Sequence, residues 1–357
     1  RHSGTLMTII LMVNACQPVS REHVNFVIIQ MDDLGYDDLG IHGNTLIETP
    51  HIDSLGYLAM RFEQFYVNPV CAPTRASLLT GRHFMRTGVS HVHGGKDFLN
   101  LDETTFADRL QQEGYATGMW GKWHSGNTQG YYPWDRGFDQ AYMAQLYKHR
   151  DSHGRFNGEP VAHDKWADQV IAEYAMDFME VHRDQPFLAY LSFLSCHAPL
   201  DAPDTLVSGY EEMGLSRSLS TLYAMVEHTD HYIGKVLKKI DSLDIARQTV
   251  ILFLSDNGPA VLNAQLSDRD REIRYVNDLK GHKGNIWENG VRSPLFVKWQ
   301  GMTRPLTCYE LVDVTDIYPT LLSLAGLEHP DSLKPLDGIS FCDLVRCGTV
   351  EQREKIS

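Results

Sequence analysis

Five apolar runs recur along the chain, and segments with helical periodicity lie between most of them. The first run, 24–31, has few polar interruptions and leads into two aspartates, which is typical of a strand buried on both faces of a sheet. Strands that alternate with helices predict an α/β sandwich around a mostly parallel central sheet. The predicted strands are 24–31, 115–120, 186–194, 249–255 and 294–299, and the predicted helices are 50–61, 104–113, 164–182, 219–243 and 316–325.

Side chains that can do chemistry follow four of these predicted strands. The carboxyl ends of parallel strands lie at one rim of a sheet, where α/β proteins bind their ligands, so we expect these side chains to form one site. The segment 126–158 is rich in Gly, Tyr, His and charged residues, and it predicts a long loop at the same rim. The residues are Asp32 and Asp33 after the first strand, Lys122 and His124 after the second, His197 after the third, and Asp256 and Asn257 after the fourth.

The carboxylates of Asp32, Asp33 and Asp256 and the amide of Asn257 form a set of hard oxygen ligands. Such oxygens suit Ca²⁺ or Mg²⁺ and do not suit a zinc site built on thiolates. Taken separately, Asp-Asp-x-Gly is commonest as a turn, and Asn-Gly after an apolar strand is a strong hairpin signal. It is their convergence on one rim that favours a divalent cation site.

The composition is that of a folded globular protein, because 357 residues with 43% hydrophobic content can bury a large core. The length is compatible with one large α/β domain or with two smaller ones. A formal net charge of −14 argues against a general binder of nucleic acid or of anionic membranes, so no nucleic-acid partner is expected. An anionic substrate would therefore need a local cationic pocket.

The N-terminal segment 1–23 contains an apolar run at 6–13 that is too short to span a bilayer but suits the core of a signal peptide. The sequence Val-Asn-Ala-Cys at 13–16 resembles a bacterial lipobox, in which Cys16 would carry a lipid. We therefore expect an exported protein, periplasmic or at the cell surface, with membrane attachment through a lipid on Cys16. A weakly structured terminal tail is the alternative.

Three other cysteines of the six have an informative context. Cys342 and Cys347 are close enough in sequence to pair in an oxidising compartment, although spacing does not determine connectivity. Cys71 lies shortly before Pro73, which suits the first turn of a helix that would end at Gly81. Cys71 is thus expected just ahead of a helix N-terminus, where free N–H groups and the helix dipole favour an anion. A lone cysteine is otherwise most often a small buried hydrophobe.

The stretch 69–81 carries Cys-x-Pro-x-Arg followed by Leu-Leu-Thr-Gly, and in this it resembles the signature of the sulfatase family. The segment 114–124 ends in Gly-Lys-Trp-His and is similar to the family's second signature, with Trp120 where a smaller aliphatic residue is usual. The resemblance covers about 24–344 and implies an alkaline-phosphatase-like sandwich. Further matching segments are 195–199, 280–294 and 336–340.

The resemblance implies a sulfuric ester hydrolase, arylsulfatase-like, in which a formylglycine-generating maturation enzyme reads Cys-x-Pro-x-Arg and oxidises Cys71 to Cα-formylglycine. One hydroxyl of the hydrated aldehyde attacks the sulfur of a sulfate monoester, and the second hydroxyl allows sulfate to be expelled. The resemblance also implies a divalent cation, usually Ca²⁺ with Mg²⁺ as the alternative, beside the formylglycine. The implied metal ligands are Asp32, Asp33, Cys71, Asp256 and Asn257.

The resemblance also implies roles for the cations and histidines of the motifs. Arg75, Lys122 and Lys283 would neutralise the sulfate oxygens. His197 or Lys283 would protonate the leaving alkoxide, His124 would act as base in the second step, and Asp256 would accept a proton in the first. Lys280 is the alternative to Lys283 for this role. Lys283 has the spacing to Glu288 and Arg292 that the family's segment has. The implied catalytic residues are Cys71, Arg75, Lys122, His124, His197 and Lys283.

The expected substrate is a sulfated carbohydrate or an aryl sulfate, with sugar contacts sought in the segment 134–155. Two other functions stay open. A phosphatase or phosphonate monoester hydrolase of the same superfamily would typically use Thr or Ser and two zinc ions. A protein whose Cys71 stays unmodified would be catalytically silent and would only bind sulfated glycans. The candidate sugar contacts are Tyr142, Tyr147, Lys148, His149, Arg150 and His153.

The expected domain organisation is one catalytic core over 24–345. Members of the family normally continue into a smaller C-terminal subdomain with its own antiparallel sheet. We expect 346–357 to be the start of that subdomain, and the sequence is then either a fragment or lacks the rest of it.

Overall fold

The computed structural model describes residues 23–261 and 265–348. The strands of this part of the chain form one ten-stranded sheet. They are β1 (Asn25–Met31), β2 (Met60–Tyr66), β3 (Ala116–Gly121), β4 (Gln140–Ala144), β5 (His153–Phe156), β6 (Glu159–Ala162), β7 (Phe187–Ser192), β8 (Thr249–Ser255), β9 (Leu295–Trp299) and β10 (Leu306–Asp313). Across the sheet their order is β10-β2-β9-β8-β1-β7-β3-β4-β5-β6.

Helices cover the sheet on both faces. The alternation along β1 requires this, because Val27 and Ile29 pack into one hydrophobic core while Phe26 and Ile28 pack into the other. The helices are α1 (Pro50–Tyr57), α2 (Cys71–Thr80), α3 (Phe106–Gln112), α4 (Ala167–Val181), α5 (Asp204–Glu212), α6 (Arg217–Ser242), α7 (Asp268–Arg274), α8 (Glu288–Val291), α9 (Ile317–Leu324) and α10 (Cys342–Cys347). The first core includes residues of α1, α4, α5 and α6, and the second includes residues of α2, α3, α9 and α10.

Four adjacent strands, β8, β1, β7 and β3, run parallel and define the rim that carries the site. Met31 at the end of β1 lies opposite Ser255 of β8, and Gly121 at the end of β3 lies opposite Ser192 of β7. The segments that leave these strands therefore start at the same level of the sheet. The predicted α/β sandwich with a mostly parallel central sheet is confirmed.

Two segments differ from their prediction. The helix predicted over 50–61 ends at Tyr57, and the chain then enters β2, which pairs with β10 on one side and β9 on the other. Long-range pairing with two strands far away in sequence overrides the apparent helical pattern there. The segment 126–158, predicted as a long loop, contains β4 and β5, which extend the sheet beyond β3.

Trp120, the departure from the second family signature, fits into β3 because a glycine makes room for it. The Trp120 side chain is fully buried and packs edge-on against Phe178 of α4, with ring centroids 5.1 Å apart. Gly118 lies two residues earlier on the same face of the strand. A Cβ atom at Gly118 would lie 2.2 Å from the indole ring, so the pair acts as one packing unit.

Cys342 and Cys347, which are close enough in sequence to pair, are not paired with each other, because Cys342 has a free, buried thiol. The two residues are the first and last of α10, and positions five apart on a helix point about 140° away from each other. Cys342 instead packs into the hydrophobic core beside Phe341 and Leu344.

The predictions for the chain termini fall mostly outside the described residues. Cys16 and nearly all of the segment 1–23 lie there, as does most of 346–357. Among the residues that are described, no helix has the length and the apolar character needed to cross a membrane.

Candidate active site

Cys71 is presented by the N-terminus of a buried helix. It is the first residue of α2, not the residue ahead of it, and Val70 precedes it in an extended conformation. Every residue of α2 is buried, and Gly81 ends the helix with φ of 67°. The Thr74 hydroxyl oxygen accepts a hydrogen bond of 2.9 Å from the backbone N–H of Asn68, which fixes the chain entering the helix. The position of Cys71 is thus rigid and close to the positive end of the helix dipole.

Three buried oxygens point to a cation site beside Cys71. Asp32 Oδ1, Asp33 Oδ2 and Asn257 Oδ1 accept no hydrogen bond from the described residues. The carboxylates of Asp32 and Asp256 and the Cys71 Sγ place ligand atoms within 4.8 Å of one another. Buried polar atoms are normally paired, so orphaned acceptors of this kind fit a hard divalent cation.

The remaining oxygens of these aspartates are held by lysines. Lys122 Nζ donates to Asp32 Oδ2 at 2.6 Å, and Lys283 Nζ donates to Asp33 Oδ1 at 2.6 Å. Burial alone would raise the pKa of Asp32, but the charge of Lys122, with smaller contributions from other nearby cations, holds it well below its usual value. The Asn257 side-chain N–H also donates to Asp33 Oδ1, at 2.8 Å. Each aspartate therefore keeps one oxygen paired and one oxygen unpaired.

Arg75 holds Asp256 from inside the protein. Its Nε and Nη2 donate to Asp256 Oδ2 at 3.0 and 2.6 Å, and its Nη1 donates to the carbonyl oxygen of Lys122 at 3.0 Å. Burial would lower the pKa of Arg75, but the neighbouring Asp256 carboxylate raises it, so the guanidinium stays charged. Arg75 is fully buried, hence it acts on the carboxylate and not on bulk solvent.

His124 faces Cys71 as a neutral imidazole. Burial, together with the positive charge of Lys122, lowers the pKa of His124 to about 3. Its Nε2 lies 2.8 Å from the carbonyl oxygen of Val92, a contact in which that nitrogen must be the donor. The lone pair is then on Nδ1, 3.3 Å from the Cys71 Sγ. His124 is therefore oriented to accept a proton from the group at position 71.

An open cavity of about 670 Å³ gives access to Cys71. His197 projects into it from the loop after β7, with its Nε2 3.7 Å from Asp33 Oδ2. Lys283 also reaches the cavity, whereas Lys280 lies over the ring of Trp287, with its Nζ 4.3 Å from the ring centroid. Among the described residues, those that line the cavity are Cys71, Val92, His93, His124, Tyr147, His197, Ala198, Pro199, Gln265 and Lys283.

The candidate sugar contacts at 134–155 include buried side chains and one side chain that lines the cavity. Tyr142 is buried within β4 and hydrogen-bonds Ser152 Oγ at 2.7 Å, and His149 is buried against the carbonyl oxygen of His197. These two side chains cannot contact a sugar from where they lie. Of the six candidates, Tyr147 is the one that lines the cavity.

His93 and Gln265 line the cavity without having been predicted. His93 stands in His-Val-His-Gly-Gly at 91–95, and two histidines beside a glycine pair could have drawn attention to this loop. Gln265 lies in an irregular stretch that has no motif, so nothing local predicts its place.

In this site, buried cations surround a buried nucleophile at the carboxyl rim of an α/β sheet. Hydrolysis of an ester of a strong oxyacid requires such cations to neutralise the negative charge of the ester, so the site is that of a hydrolase of anionic esters. The family described as Sulfatase matches residues 24–327, and the chain belongs to that family. The predictions of a sulfatase enzyme and of its alkaline-phosphatase-like fold are thereby confirmed.

Similar proteins agree with this membership. The chain is 29% identical over 364 residues to N-acetylgalactosamine-6-sulfatase of Mus musculus, a match that covers 92% of this chain and 67% of that protein. It is 30% identical over 375 residues to arylsulfatase G of Rattus norvegicus, with 90% and 68% covered. The crystal structure of Ps i-CgsB in complex with k-i-k-neocarrahexaose superposes with a TM-score of 0.82 at 26% identity, over 90% of this chain and 76% of that one.

Proposed function

We propose that this sulfatase cleaves sulfate monoesters of a sulfated carbohydrate, through a formylglycine hydrate derived from Cys71 beside a divalent cation. The observation that carries the proposal is the set of unpaired, buried oxygens of Asp32, Asp33 and Asn257 next to Cys71 at the floor of an open cavity. A merely structural cluster would pair these oxygens with protein donors.

The residues proposed to hold the cation are Asp32, Asp33, Asp256 and Asn257, together with the oxygen that formylglycine would carry in place of the Cys71 Sγ. Carboxylate and amide oxygens favour Ca²⁺, with Mg²⁺ as the alternative. The cation would supply positive charge to the sulfate oxygens as sulfur is attacked. Lys122 and Lys283 already hold the other oxygens of the two aspartates, which keeps the cluster in place.

Formylglycine at position 71 would supply a hydroxyl nucleophile and, on the same carbon, the second hydroxyl through which sulfate is released. Cys-Ala-Pro-Thr-Arg at 71–75 is the stretch that a formylglycine-generating maturation enzyme would read. Burial raises the pKa of the Cys71 thiol. An unmodified thiol at this position is therefore a poor nucleophile, which favours conversion to an oxygen group.

The protein side chains are proposed to move the protons. His197 and Lys283 both line the cavity, and either can donate the proton that a leaving alkoxide needs when the sulfur–oxygen bond breaks. His124 Nδ1 is placed to take a proton from the group at position 71. Asp256 accepts hydrogen bonds from Arg75 and from the backbone N–H of Asp33, so it serves better as a holder of charge than as a base.

Sulfated carbohydrate is proposed as the substrate because similar proteins are named for, or were solved with, carbohydrates. One relative is named for N-acetylgalactosamine 6-sulfate, and the superposed structure was solved with a neocarrahexaose. An aryl sulfate is proposed as a convenient assay substrate. Export and a lipid on Cys16 are proposed on the apolar run at 6–13 and the lipobox-like sequence at 13–16.

The first test is the mass of the tryptic peptide 62–75 from protein expressed with a formylglycine-generating enzyme. We expect the peptide to be lighter by the change from thiol to aldehyde, and to react with a hydrazine. Protein with the converted residue should hydrolyse 4-nitrophenyl sulfate, and Cys71→Ser should lower turnover at least about 100-fold because the second hydroxyl is missing. An intact, alkylatable Cys71, or normal turnover by an unmodified serine, would contradict the mechanism.

A further inference from the structure

Tyr147 is a large aromatic side chain that is exposed at the cavity that contains Cys71. It is 42% exposed. Tyr57, Trp287 and Tyr309 are also exposed, but none of them lines this cavity in the part of the chain that the structure describes. An aromatic ring exposed at a cavity offers an apolar face on which the ring of a ligand can pack.

The backbone at Tyr147 is in the left-handed region, with φ of 67°. This conformation is unfavourable for a tyrosine and persists only where the surroundings impose it, which is commonest at functional sites. The surroundings here are two nearby anchors. The His149 Nε2 contacts the carbonyl oxygen of His197 at 2.8 Å, and the carbonyl oxygen of His149 accepts the N–H of Ala167 at 2.7 Å. The loop is thereby fixed to the segment that carries His197.

The Tyr147 ring lies next to the residues that would meet the ester. Its centroid is 5.0 Å from that of His197, at an interplanar angle of 43°. The groups around Cys71 are polar or charged, namely His124, His197 and Lys283, and they suit the sulfate group. Among the described lining side chains Tyr147 offers the largest aromatic face, which suits the C–H face of a sugar ring or the face of an aryl group.

We propose that Tyr147 is the platform on which the ring bearing the scissile sulfate stacks, so that it selects ring-bearing sulfate esters over ringless ones. The inference rests on the proposed function, since it names the part of the substrate that this surface recognises. Tyr147 is a specificity-determining residue through its ring face, and its hydroxyl is dispensable.

The test measures binding in the Cys71→Ala background, so that no turnover is needed. Isothermal titration calorimetry compares 4-nitrophenyl sulfate and N-acetylgalactosamine 6-sulfate with inorganic sulfate, which has no ring. Tyr147→Ala should weaken binding of the ring-bearing esters about tenfold and leave the Kd of sulfate within about twofold. Tyr147→Phe should bind all three like the parent protein. Tyr309→Ala, which removes an exposed aromatic side chain from β10, is the matched control and should change nothing.

Four results would overturn the proposal. Equal weakening for sulfate and for the esters would mean that Tyr147 acts only by supporting His197. A Tyr147→Phe variant as weak as Tyr147→Ala would assign the effect to the hydroxyl. Unchanged ester affinity in Tyr147→Ala, or failure of both esters to bind the Cys71→Ala protein, would mean that no ring rests there. The proposed function fails separately, if converted wild-type protein turns over neither ester while the binding pattern stands.

Discussion

At the scale of single residues, the site uses the two carboxylate oxygens of Asp32 and of Asp33 differently. One oxygen of Asp32 is paired with Lys122 and one oxygen of Asp33 with Lys283, and the second oxygen of each has no donor in the described part of the chain. Buried ion pairs of this kind are kept for position more than for stability, because desolvation offsets most of their attraction. Each lysine therefore both orients a carboxylate and adds positive charge beside the cavity.

The two lysines of the 280–294 segment allow a direct comparison. We expect Lys283→Ala to lower kcat/KM for 4-nitrophenyl sulfate about 100-fold, since it removes a preorganised cation from the site and leaves Asp33 less neutralised. Lys280→Ala should stay within about twofold, because its Nζ lies over the ring of Trp287, away from the nucleophile. Steady-state kinetics on the two purified variants checks this. The reverse ranking would transfer the catalytic role to Lys280.

At the scale of elements, β3 shows how one strand tolerates an oversized residue. Trp120 fills the space that Gly118 leaves on the same face, against Phe178 of α4. The substitution of a smaller aliphatic residue by tryptophan is thus balanced inside the strand, and Lys122 and His124, which follow it, keep their positions at the rim.

A matched pair of glycine substitutions tests this packing. Gly118→Ala would place a Cβ 2.2 Å from the Trp120 ring, and the resulting overpacking should cost about 1–3 kcal/mol of unfolding free energy. Gly209 lies within α5, and a Cβ there would meet no other described residue within 4 Å beyond its own helix backbone, so Gly209→Ala should stabilise by about 0.5–1 kcal/mol. Urea unfolding of both variants measures the two effects. Equal behaviour of the two variants would contradict the packing account.

The element scale also shows what local sequence can predict. The buried parallel strands were predictable because a continuous apolar run is itself the requirement for burial on both faces, as in β1 and β8. The strand β2 was not, because its first residues, Met60 and Arg61, belong to the predicted helix 50–61 and its pairing with β9 and β10 is what makes it extended. The separation of Cys342 from Cys347 was equally hidden, since sequence proximity does not show the direction a side chain takes on a helix.

The residues around Cys71 were more predictable from the sequence than the residues at the mouth of the cavity. Asp32, Asp256 and Lys122 follow strands directly, so the order of the sheet determines where they meet. Tyr147 was only one of six candidates, because the position of a side chain in a long connection depends on anchors such as His149 that have no sequence signal.

At the scale of the whole molecule, the site places positively charged side chains in a protein whose net charge is negative. The formal net charge is −14, yet Lys283 lines the cavity at Cys71, and Lys122 and Arg75 lie buried behind it, paired with Asp32 and Asp256. The protein as a whole repels an anionic ester at long range, and the local cations attract it within about 10 Å at ordinary ionic strength. The carboxylates that hold these cations are the same ones that would bind a divalent ion, so the ion would link the site to global stability.

That linkage gives the last prediction. A ligand that binds only the folded state at a concentration 100-fold above its Kd stabilises by about 2.7 kcal/mol, which for a chain of this size is roughly 4 °C in Tm. Adding Ca²⁺ after chelation should therefore raise the Tm of the wild-type protein by about this amount, measured by differential scanning calorimetry. Asn257→Ala removes one of the three unpaired oxygens and should abolish most of the increase.

Asn277→Ala supplies the control for that experiment. Asn277 donates to Asp37 Oδ1 at 2.7 Å and has no contact with the oxygen cluster, so its loss should lower the baseline Tm and leave the Ca²⁺ response intact. A wild-type Tm that does not change with Ca²⁺, with Mg²⁺ or with chelator would mean that the unpaired oxygens of Asp32, Asp33 and Asn257 do not form a cation site. Their burial without partners among the described residues would then be a net cost to the fold.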